Sequence, residues 1–347
     1  MLKKRLLKKI FLGLAFGIMG SLSLAQQTQA ASSPTQADFE VQPVMPSGQV
    51  NTMLNYFDVV FKPGTTHTIQ MRVQNFTNHK ITVKTNLVNG VTQIGGGMDF
   101  QESTKGLDSS LKVPLTTIAS VKKAHRVVHL AAQEATVIDA VVKMPQENHR
   151  GIIYGGWHFI EYRNDKAAHK QSVSSNYAYN VGIALRGSQY KVYPELKYDS
   201  AKPILYSSEP AMGIKLRNTQ PMALKKVHFK AVLSKQGLFS DKRIYDKVNS
   251  SMAPNSSVTL PITWNYDTMK PGTYHVDVKV TGENLWNKLP MSWTFRKTFK
   301  ITKDQTDKIN EKAVKKPVNK WFYIATASGV ALLMSLAGLY RLFRIGR

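Results

Sequence analysis

Short alternating segments, each bounded by Gly, Pro or Asn, constrain the fold of this chain more than any other feature. Thr66–Val73 and Ile81–Val88 alternate apolar and polar residues around Asn75–His79, a pattern that favours two paired strands and a turn. Strands at intervals of roughly 8–12 residues, with few amphipathic helical stretches, predict an all-β chain built from immunoglobulin-like β-sandwiches. The other strand candidates are residues 136–142, 152–162, 177–185, 211–217, 226–233, 258–264, 273–281 and 292–301.

Two stretches of the chain resemble each other, which points to a repeated domain. Ala135–Tyr162 and Ser257–Thr281 each contain an alternating strand, a Pro-containing loop and a Gly-aromatic turn into a second alternating strand. We therefore predict two tandem sandwiches, one over residues 38–163 and one over residues 176–302. The polar, basic stretch 164–175 between them has the composition of a linker.

The amino terminus has the three-part pattern of a secretory signal. Met1–Lys9 is strongly basic and contains no acid, and Ile10–Leu24 is apolar and uncharged. Ser23-Leu24-Ala25 then places small residues at the two positions that a signal peptidase reads. We predict a signal peptide over residues 1–25, with cleavage as late as residue 31 as the alternative.

A second apolar segment has the length of a membrane-spanning helix. Residues 321–340 contain no charged side chain, and at a rise of ~1.5 Å per residue they would cross ~30 Å, the hydrocarbon thickness of a bilayer. Trp321 and Tyr340 lie at its ends, where aromatic rings favour the membrane interface. We predict a transmembrane helix here, preceded by a polar juxtamembrane segment, 303–320, in which Gln305–Val314 is helical.

The basic tail, residues 341–347, sets the expected orientation. Its arginines favour the cytoplasmic side, so we predict a single-pass protein of the cell membrane with a cytoplasmic carboxyl terminus. The ectodomain would lie on the extracellular, cell-wall side. A sortase signal would place Leu-Pro-x-Thr-Gly before the helix, but the nearest string, Leu260–Trp264, lacks the Gly and lies far upstream. We therefore expect the helix to be retained.

No pattern in the sequence specifies catalysis, a metal or a cofactor. The absence of cysteine excludes disulfide scaffolds, thiolate metal sites, iron–sulfur clusters and Cys nucleophiles. Ser120 and Lys123 match Ser-x-x-Lys, but the companion strings of penicillin-recognising enzymes are missing and the surrounding residues favour a strand. His125 and His129 lack the Glu that a zinc protease carries after its first His. We predict a non-enzymatic protein without cofactor or metal.

A distant pair of carboxylates would escape a search for local motifs. The alternative function is therefore a hydrolase or transferase that acts on the cell wall through a convergent acid–base site. The acids that flank the Gly-aromatic segment are the candidates for it: Glu134, Asp139, Glu147 and Glu161.

Four aromatic residues near Gly-containing turns are candidates for binding a polysaccharide. Tyr56 and Phe57 are adjacent, and Tyr154 and Trp157 flank two glycines. Flat rings stack on the faces of sugars, and peptidoglycan is a sugar polymer, so these residues are our candidates for binding peptidoglycan. The alternative is that the rings fill the sandwich core, since strand alternation turns half of the side chains inward.

The net charge of +25 suggests nucleic acid until the charge is located along the chain. Residues 31–170 carry 14 Lys and Arg against 11 Asp and Glu, whereas residues 171–300 carry 19 against 8. An exported domain does not meet nucleic acid, so we predict none as a partner. The excess indicates either a solvated face near an anionic wall or a docking surface on one face. The candidates for that basic patch are Lys215, Arg217, Lys225, Lys226, Lys230, Lys235, Lys242 and Arg243.

Short motifs follow one another in a fixed order from about Phe39 to the carboxyl terminus. In the first half they are Tyr56–Val59 followed by Lys62–Gly64, then Val73–Asn75 and Gly151–Gly156. In the second half they are Asn176–Tyr179, Pro194–Leu196, Ala253–Ser256, Gly272–Tyr274 and Trp293–Phe299. In these motifs and their order the chain resembles the WxL-interacting protein family of Gram-positive bacteria. Loop Asn89–Gly95 departs from the family pattern.

The resemblance implies a function beyond what the residues themselves indicate. The first domain would bind peptidoglycan. The second would bind host surface or matrix proteins, and the whole protein would work alongside secreted WxL-domain surface proteins. Together with the targeting segments, this describes a membrane-anchored adhesion or scaffold protein of the cell surface.

Overall fold

The computed structural model describes residues 37–162, 177–237, 241–314 and 320–345. The predicted signal peptide and the predicted linker lie outside the described residues. The elements below all belong to one structural unit, Phe39–Arg347.

The first half of the chain forms two packed sheets. One has the strand order β1-β3-β8-β6, and the other has the order β2-β10-β9-β4-β5, with β7 also paired to β4. All pairs are antiparallel except β2 with β10. A short 3-10 turn, Lys123–His125, separates β6 from β7. The elements are β1 (Phe39–Val44), β2 (Phe57–Val60), β3 (Thr66–Asn75), β4 (Ile81–Thr92), β5 (Met98–Gln101), α1 (Leu115–Ile118), β6 (Ala119–Val121), β7 (Val127–Leu130), β8 (Ala135–Lys143), β9 (Ile152–Glu161) and β10 (Ala178–Arg186).

Strand alternation builds the first core. Ile69, Met71 and Val73 of β3 are buried and alternate with polar residues, so one face of the strand packs inward and the other meets solvent. Trp157 and Phe159 face them from β9, with ring centroids 5.5 Å apart. This is the pattern that the sequence predicted for a half-buried strand.

The structure differs from the predicted domain boundary at β10. The sequence assigned the second domain to residues 176–302, but β10 lies between β9 and β2, with Val181 opposite Trp157 and Ile183 opposite Phe57. Val181 and Ile183 are buried in the first core. Alternation identifies a strand but not the strands with which it pairs. Here β10 pairs with β9 on one side and with β2 on the other, so it belongs to the first sandwich.

The second half of the chain forms a seven-stranded sandwich. Its sheets have the orders β11-β12-β15 and β14-β13-β16-β17, with antiparallel pairing throughout. Phe229 and Trp264 are among its fully buried side chains. The two sandwiches confirm the all-β fold that the sequence predicted. The strands are β11 (Leu196–Tyr206), β12 (Glu209–Asn218), β13 (Leu224–Lys235), β14 (Lys242–Met252), β15 (Ser256–Thr263), β16 (Gly272–Asn284) and β17 (Pro290–Ile301).

Two helices follow the second sandwich. In α2 (Lys303–Lys312), Thr302 and Gln305 form a capping box that satisfies backbone donors at the helix start. The helix expected within the juxtamembrane segment is therefore present, and it packs against β11. The second helix is α3 (Lys320–Ile345). Within the described residues, no helix meets the length and hydropathy expected of a membrane span. The transmembrane helix at 321–340 stays a prediction.

Candidate functional site: a cleft between the sandwiches

The tip of the β4–β5 hairpin joins the first sandwich to the second. Gly95 N–H donates to the carbonyl of Thr259 on β15 (2.8 Å), and Gly97 N–H donates to the carbonyl of Ser251 on β14 (2.9 Å). The Tyr245 hydroxyl donates in return to the Gly95 carbonyl (2.6 Å). Because β14 and β15 are edge strands of opposite sheets, the tip fills the gap between those two edges.

Gly96 explains why this tip is rich in glycine. Its φ is +89°, a conformation that side chains disfavour. A Cβ here would also lie 2.5 Å from the Ser250 hydroxyl and 2.6 Å from the Phe229 ring. The loop 89–95 that departs from the family pattern therefore leads into a fixed contact between domains.

An ion pair provides a second junction. Arg217, on β12 of the second sandwich, donates to both carboxylate oxygens of Asp108, at 2.6 and 2.7 Å. Asp108 lies between β5 and α1, in the first half of the chain. Burial alone would raise the pKa of Asp108, but hydrogen bonds from Arg217 and Ser110 outweigh it and lower that pKa to about 2. The carboxylate therefore stays charged and paired at neutral pH.

A cleft of about 970 Å³ opens between the two sandwiches, next to Met98 and Phe100 of β5. Its floor is the outer face of the first sandwich's larger sheet, and its far wall comes from the second sandwich. The residues that line it include five aromatic rings, three cationic side chains and one carboxylate. The aromatic and charged lining residues are Tyr56, Phe100, Tyr154, Tyr190, Trp286, Asp58, Arg186, Lys225 and Lys288.

Tyr154 and Tyr56 form the aromatic part of the floor. The Tyr154 ring packs over Gly90 of β4, where a Cβ would lie 2.0 Å from the ring, and its centroid is 5.8 Å from that of Phe100. Burial raises the pKa of Tyr154 to about 12, so its hydroxyl remains a hydrogen-bond donor. Tyr56 is 40% exposed and lies next to the backbone of Gly182.

A fixed ion pair lies on the same floor. Arg186 on β10 donates to both oxygens of Asp58 on β2, each at 2.5 Å. The two strands are paired in parallel with Arg186 opposite Val60, so the Arg186 side chain reaches Asp58 two residues away. Hydrogen bonding to Asp58 raises the pKa of Arg186. The guanidinium also lies 4.3 Å from the ring centroid of Tyr190. Because Asp58 occupies one edge of the guanidinium, the pair holds its orientation without a ligand.

The far wall contributes Lys225 and Trp286. Lys225 is half-buried, and this burial lowers its pKa. Its Nζ lies 3.9 Å from the Met98 sulfur. The indole N–H of Trp286 donates to the carbonyl of Val192 (2.8 Å), which fixes its ring. Together these residues give a concave surface with aromatic faces and a few oriented polar groups, the arrangement that binds sugars and small ligands.

Two family models match the chain. Residues 39–161 match the peptidoglycan-binding domain of WxL Interacting Protein, and residues 168–311 match its host-binding domain. The chain belongs to the WxL-interacting protein family. It is a cell-surface binding protein with a peptidoglycan-binding domain followed by a host-binding domain, in the order that the sequence motifs predicted. No curated protein matches the chain.

Solved structures of bacterial chaperones are distantly similar to the chain. The class 5 fimbriae chaperone CfaA is 12% identical, covers 74% of this chain and 98% of its own, and has a TM-score of 0.32. The CsuC–CsuE complex of Acinetobacter baumannii is 12% identical, with coverages of 74% and 98% and a TM-score of 0.35. The CupB2 chaperone of Pseudomonas aeruginosa is 14% identical, with coverages of 69% and 95% and a TM-score of 0.29. At such low TM-scores we draw no functional conclusion from the likeness.

The structure separates the four aromatic candidates of the peptidoglycan-binding domain. Tyr56 and Tyr154 line the cleft, as described above. Phe57 and Trp157 are fully buried core residues, and the Trp157 indole donates to the Thr85 hydroxyl at 2.6 Å. Those two cannot stack on a sugar, so their assignment to the binding site is corrected. The reason is strand alternation, because residues three apart on one strand face opposite sides of the sheet.

The structure also brings residues into the cleft that the sequence did not single out. Phe100, Arg186, Tyr190 and Trp286 come from three separate segments of the chain, since Arg186 and Tyr190 are only four residues apart. They share no local pattern, and only the adjacent pairing of β2, β10 and β9 with the packing of the two domains places them together. The sequence signal that pointed towards the cleft was the group of aromatic residues beside short glycine-containing strands.

The basic candidates of the host-binding domain do not share one face. Lys215 and Arg217 lie on β12 in the three-stranded sheet, whereas the other six lie on β13 and β14 in the opposite sheet. Most of them pair with acids. The partners are Asp199 for Lys215, Asp108 for Arg217, Glu283 for Lys226, Asp246 for Lys230, and both Asp241 and Asp267 for Arg243. The prediction of a single basic surface is therefore wrong. The order of charges along a sequence does not show which sheet each strand joins.

The four acids considered for a hydrolase lie on different elements. Asp139 pairs with Lys122 at 2.6 Å on β8, and Glu134 accepts from the Ala131 N–H at 2.6 Å. Glu161 is buried at the end of β9, while Glu147 lies in the β8–β9 loop. Among the described residues, no cluster of His, Asp and Glu could hold a metal ion.

Proposed function

We propose that the chain is a non-enzymatic, membrane-anchored adhesion or scaffold protein of the bacterial surface. Its first domain binds peptidoglycan in the cleft, and its second domain binds host surface or matrix proteins or WxL-domain proteins. The observation that carries the proposal is the cleft itself, in which Tyr56, Tyr154 and the Arg186–Asp58 pair share one floor.

The chemistry of the cleft suits peptidoglycan. Aromatic faces pack against the apolar faces of sugar rings, and the phenol groups and the ion pair supply donors and acceptors for hydroxyl and amide groups. Peptidoglycan also carries short peptides with carboxylate groups, which Lys225 and Lys288 at the far wall are able to pair with. The volume of about 970 Å³ lies at the upper end of the roughly 300–1,000 Å³ typical of ligand sites.

Sedimentation with insoluble peptidoglycan tests this assignment. The full-length chain should co-sediment, and Tyr56→Ala with Tyr154→Ala should weaken the affinity about tenfold, because both ring contacts are lost. Tyr266→Ala is the matched control, since Tyr266 is 39% exposed, close to the 40% of Tyr56, but lies outside the cleft. Equal binding by the cleft variant and the control would contradict the assignment.

The membrane anchor and the orientation rest on the sequence alone. We expect the chain to fractionate with membranes, and a chain truncated before residue 321 to be released from cells after signal cleavage. Protease added to wall-stripped cells should digest the sandwiches and leave the tail 341–347 protected. A truncated chain that stays in the membrane fraction would show that residues 321–340 are not the anchor.

A further inference from the structure

The host-binding domain has two seams, at which the edge strand of one sheet faces the edge strand of the other. One seam lies between β14 and β15, and the other lies between β11 and β17. The hairpin tip Gly95–Gly97 fills the first seam through backbone hydrogen bonds to both edges. In the part of the chain that the structure describes, no strand pairs with the outer edge of β11 or β17.

Apolar side chains line this open seam. Met291, Trp293 and Phe295 alternate along β17 and pack against the core, and Tyr198 approaches from β11. All four are only partly buried, although they belong to the inner side of the sandwich. Farther along, Phe299 stacks on Tyr274 with centroids 6.4 Å apart, and α2 packs on β11. The seam is therefore closed at the α2 end and open along Met291–Phe295.

The rim of the seam is positively charged. Lys297 reaches across from β17, with its Nζ 5.5 Å from the ring centroid of Tyr198. Lys300 on β17 and Lys202 on β11 are exposed as well, and among the described residues none of these three lysines pairs with a carboxylate. The seam thus combines a free strand edge, half-buried rings and unpaired cations.

We infer that this seam binds an extended, acidic segment of a partner protein, which adds as a strand to β17. The free backbone groups of β17 would pair with the segment, and its alternate apolar side chains would cover Trp293 and Phe295 on the inner face. Its acidic side chains would lie on the outer face and meet Lys300, while Lys297 borders the apolar face beside Tyr198. A second copy is a poorer occupant, because antiparallel pairing of two β17 edges brings like charges together. The inference rests on the proposed function, since it names the partner chemistry for the host-binding domain.

Anisotropy of a labelled decapeptide of alternating Glu and Val tests this inference on the full-length chain. We expect saturable binding that weakens as salt rises, because the lysines are solvent-exposed. Lys297→Glu with Lys300→Glu should lower the affinity about tenfold. The matched control is Lys230→Glu with Lys279→Glu, which makes the same charge change on β13 and β16, the two inner strands of the same sheet, away from the free edge of β17. The control should stay within about twofold of the parent chain.

Two further peptides separate strand addition from simple charge attraction. A Lys–Val peptide should not bind, and a Glu–Val peptide with alternate N-methyl groups should lose binding, because it cannot complete the backbone ladder. Equal binding of the N-methylated peptide, or equal weakening by the control variant, would overturn strand addition. A dimer that Lys297→Glu with Lys300→Glu abolishes would overturn the acidic partner in favour of a second copy.

The failure of this inference is distinguishable from the failure of the proposed function. The Lys297→Glu, Lys300→Glu variant should retain peptidoglycan co-sedimentation, which depends on the cleft and also reports that the chain is folded. Absence of peptide binding by a parent chain that still co-sediments with peptidoglycan would reject the seam and leave the peptidoglycan assignment standing.

Discussion

Both seams of the host-binding domain lie between edge strands of opposite sheets, but what fills them differs. Between β14 and β15, a loop with almost no side-chain volume enters the sandwich, and Gly95 and Gly96 are buried there. Between β11 and β17, the edges carry rings and lysines and have no described partner. In the β14–β15 seam the glycine backbone fills the space, so no other segment fits there. The β11–β17 seam is bordered by large amphipathic side chains and can accept a partner.

Substitution of Trp264 and of Trp293 should give the largest difference in stability between the two seams. Trp264 follows β15, is 1% exposed and lies under Arg243 of β14, whereas Trp293 on β17 is only partly buried. Trp264→Ala should cost about 3–5 kcal/mol of unfolding free energy, and Trp293→Ala about 1–2 kcal/mol, because the cost follows the buried area and the cavity. Urea denaturation of both variants measures this. Equal losses would mean that the β11–β17 seam is as closed as the other.

Gly96→Ala sharpens the contrast at the closed seam. The new Cβ would clash with Phe229 and Ser250, and the positive φ adds strain, so we expect a loss of about 2–4 kcal/mol. Gly106→Ala is the matched control, since Gly106 has a φ of +85° and its Cβ would meet no atom within 4 Å. It should cost only about 1 kcal/mol. A similar loss for both variants would mean that the backbone conformation, not the seam, sets the cost.

The Asp108–Arg217 ion pair between the domains should make the unfolding free energy depend on pH, with a smaller effect than the substitutions above. The pKa of Asp108 is lowered to about 2 in the folded chain, from an ordinary value of 3.8. The stabilisation is therefore fully present above about pH 4 and is lost as the pH falls towards 2. Allowing for solvent screening, we expect about 1–2 kcal/mol at neutral pH.

Asp108→Asn tests whether this pH dependence belongs to the junction. The variant should remove the part of the pH dependence that lies between pH 4 and pH 2, as measured by denaturant unfolding at a series of pH values. Lys122 and Asp139 form an exposed pair within the first sandwich, so Asp139→Asn is the comparison. A larger effect at Asp139 than at Asp108 would show that the junction does not depend on the Asp108–Arg217 contact.

Much of the fold could be predicted from local pattern. The alternation in Thr66–Val73 predicted a strand, and the structure has β3 over Thr66–Asn75 with its apolar residues inward. The positions of Tyr154 and Trp157 show the limit of that reasoning. Their spacing requires opposite faces of one strand, but which face is buried depends on the sheet that packs against it. For the same reason the sequence could name Tyr56 and Tyr154 but could not assemble the rest of the cleft.

The sequence by itself determined the all-β class, the tandem arrangement and the family, because alternation, turn residues and motif order are written along the chain. The tertiary structure decided which sheet β10 joins, that Gly95–Gly97 fills a seam, and that the basic residues divide between two sheets. It also brought Arg186, Asp58 and Tyr154 to one floor. These outcomes depend on pairing and packing between segments far apart in sequence, and local residue pattern does not encode which distant segment is the partner.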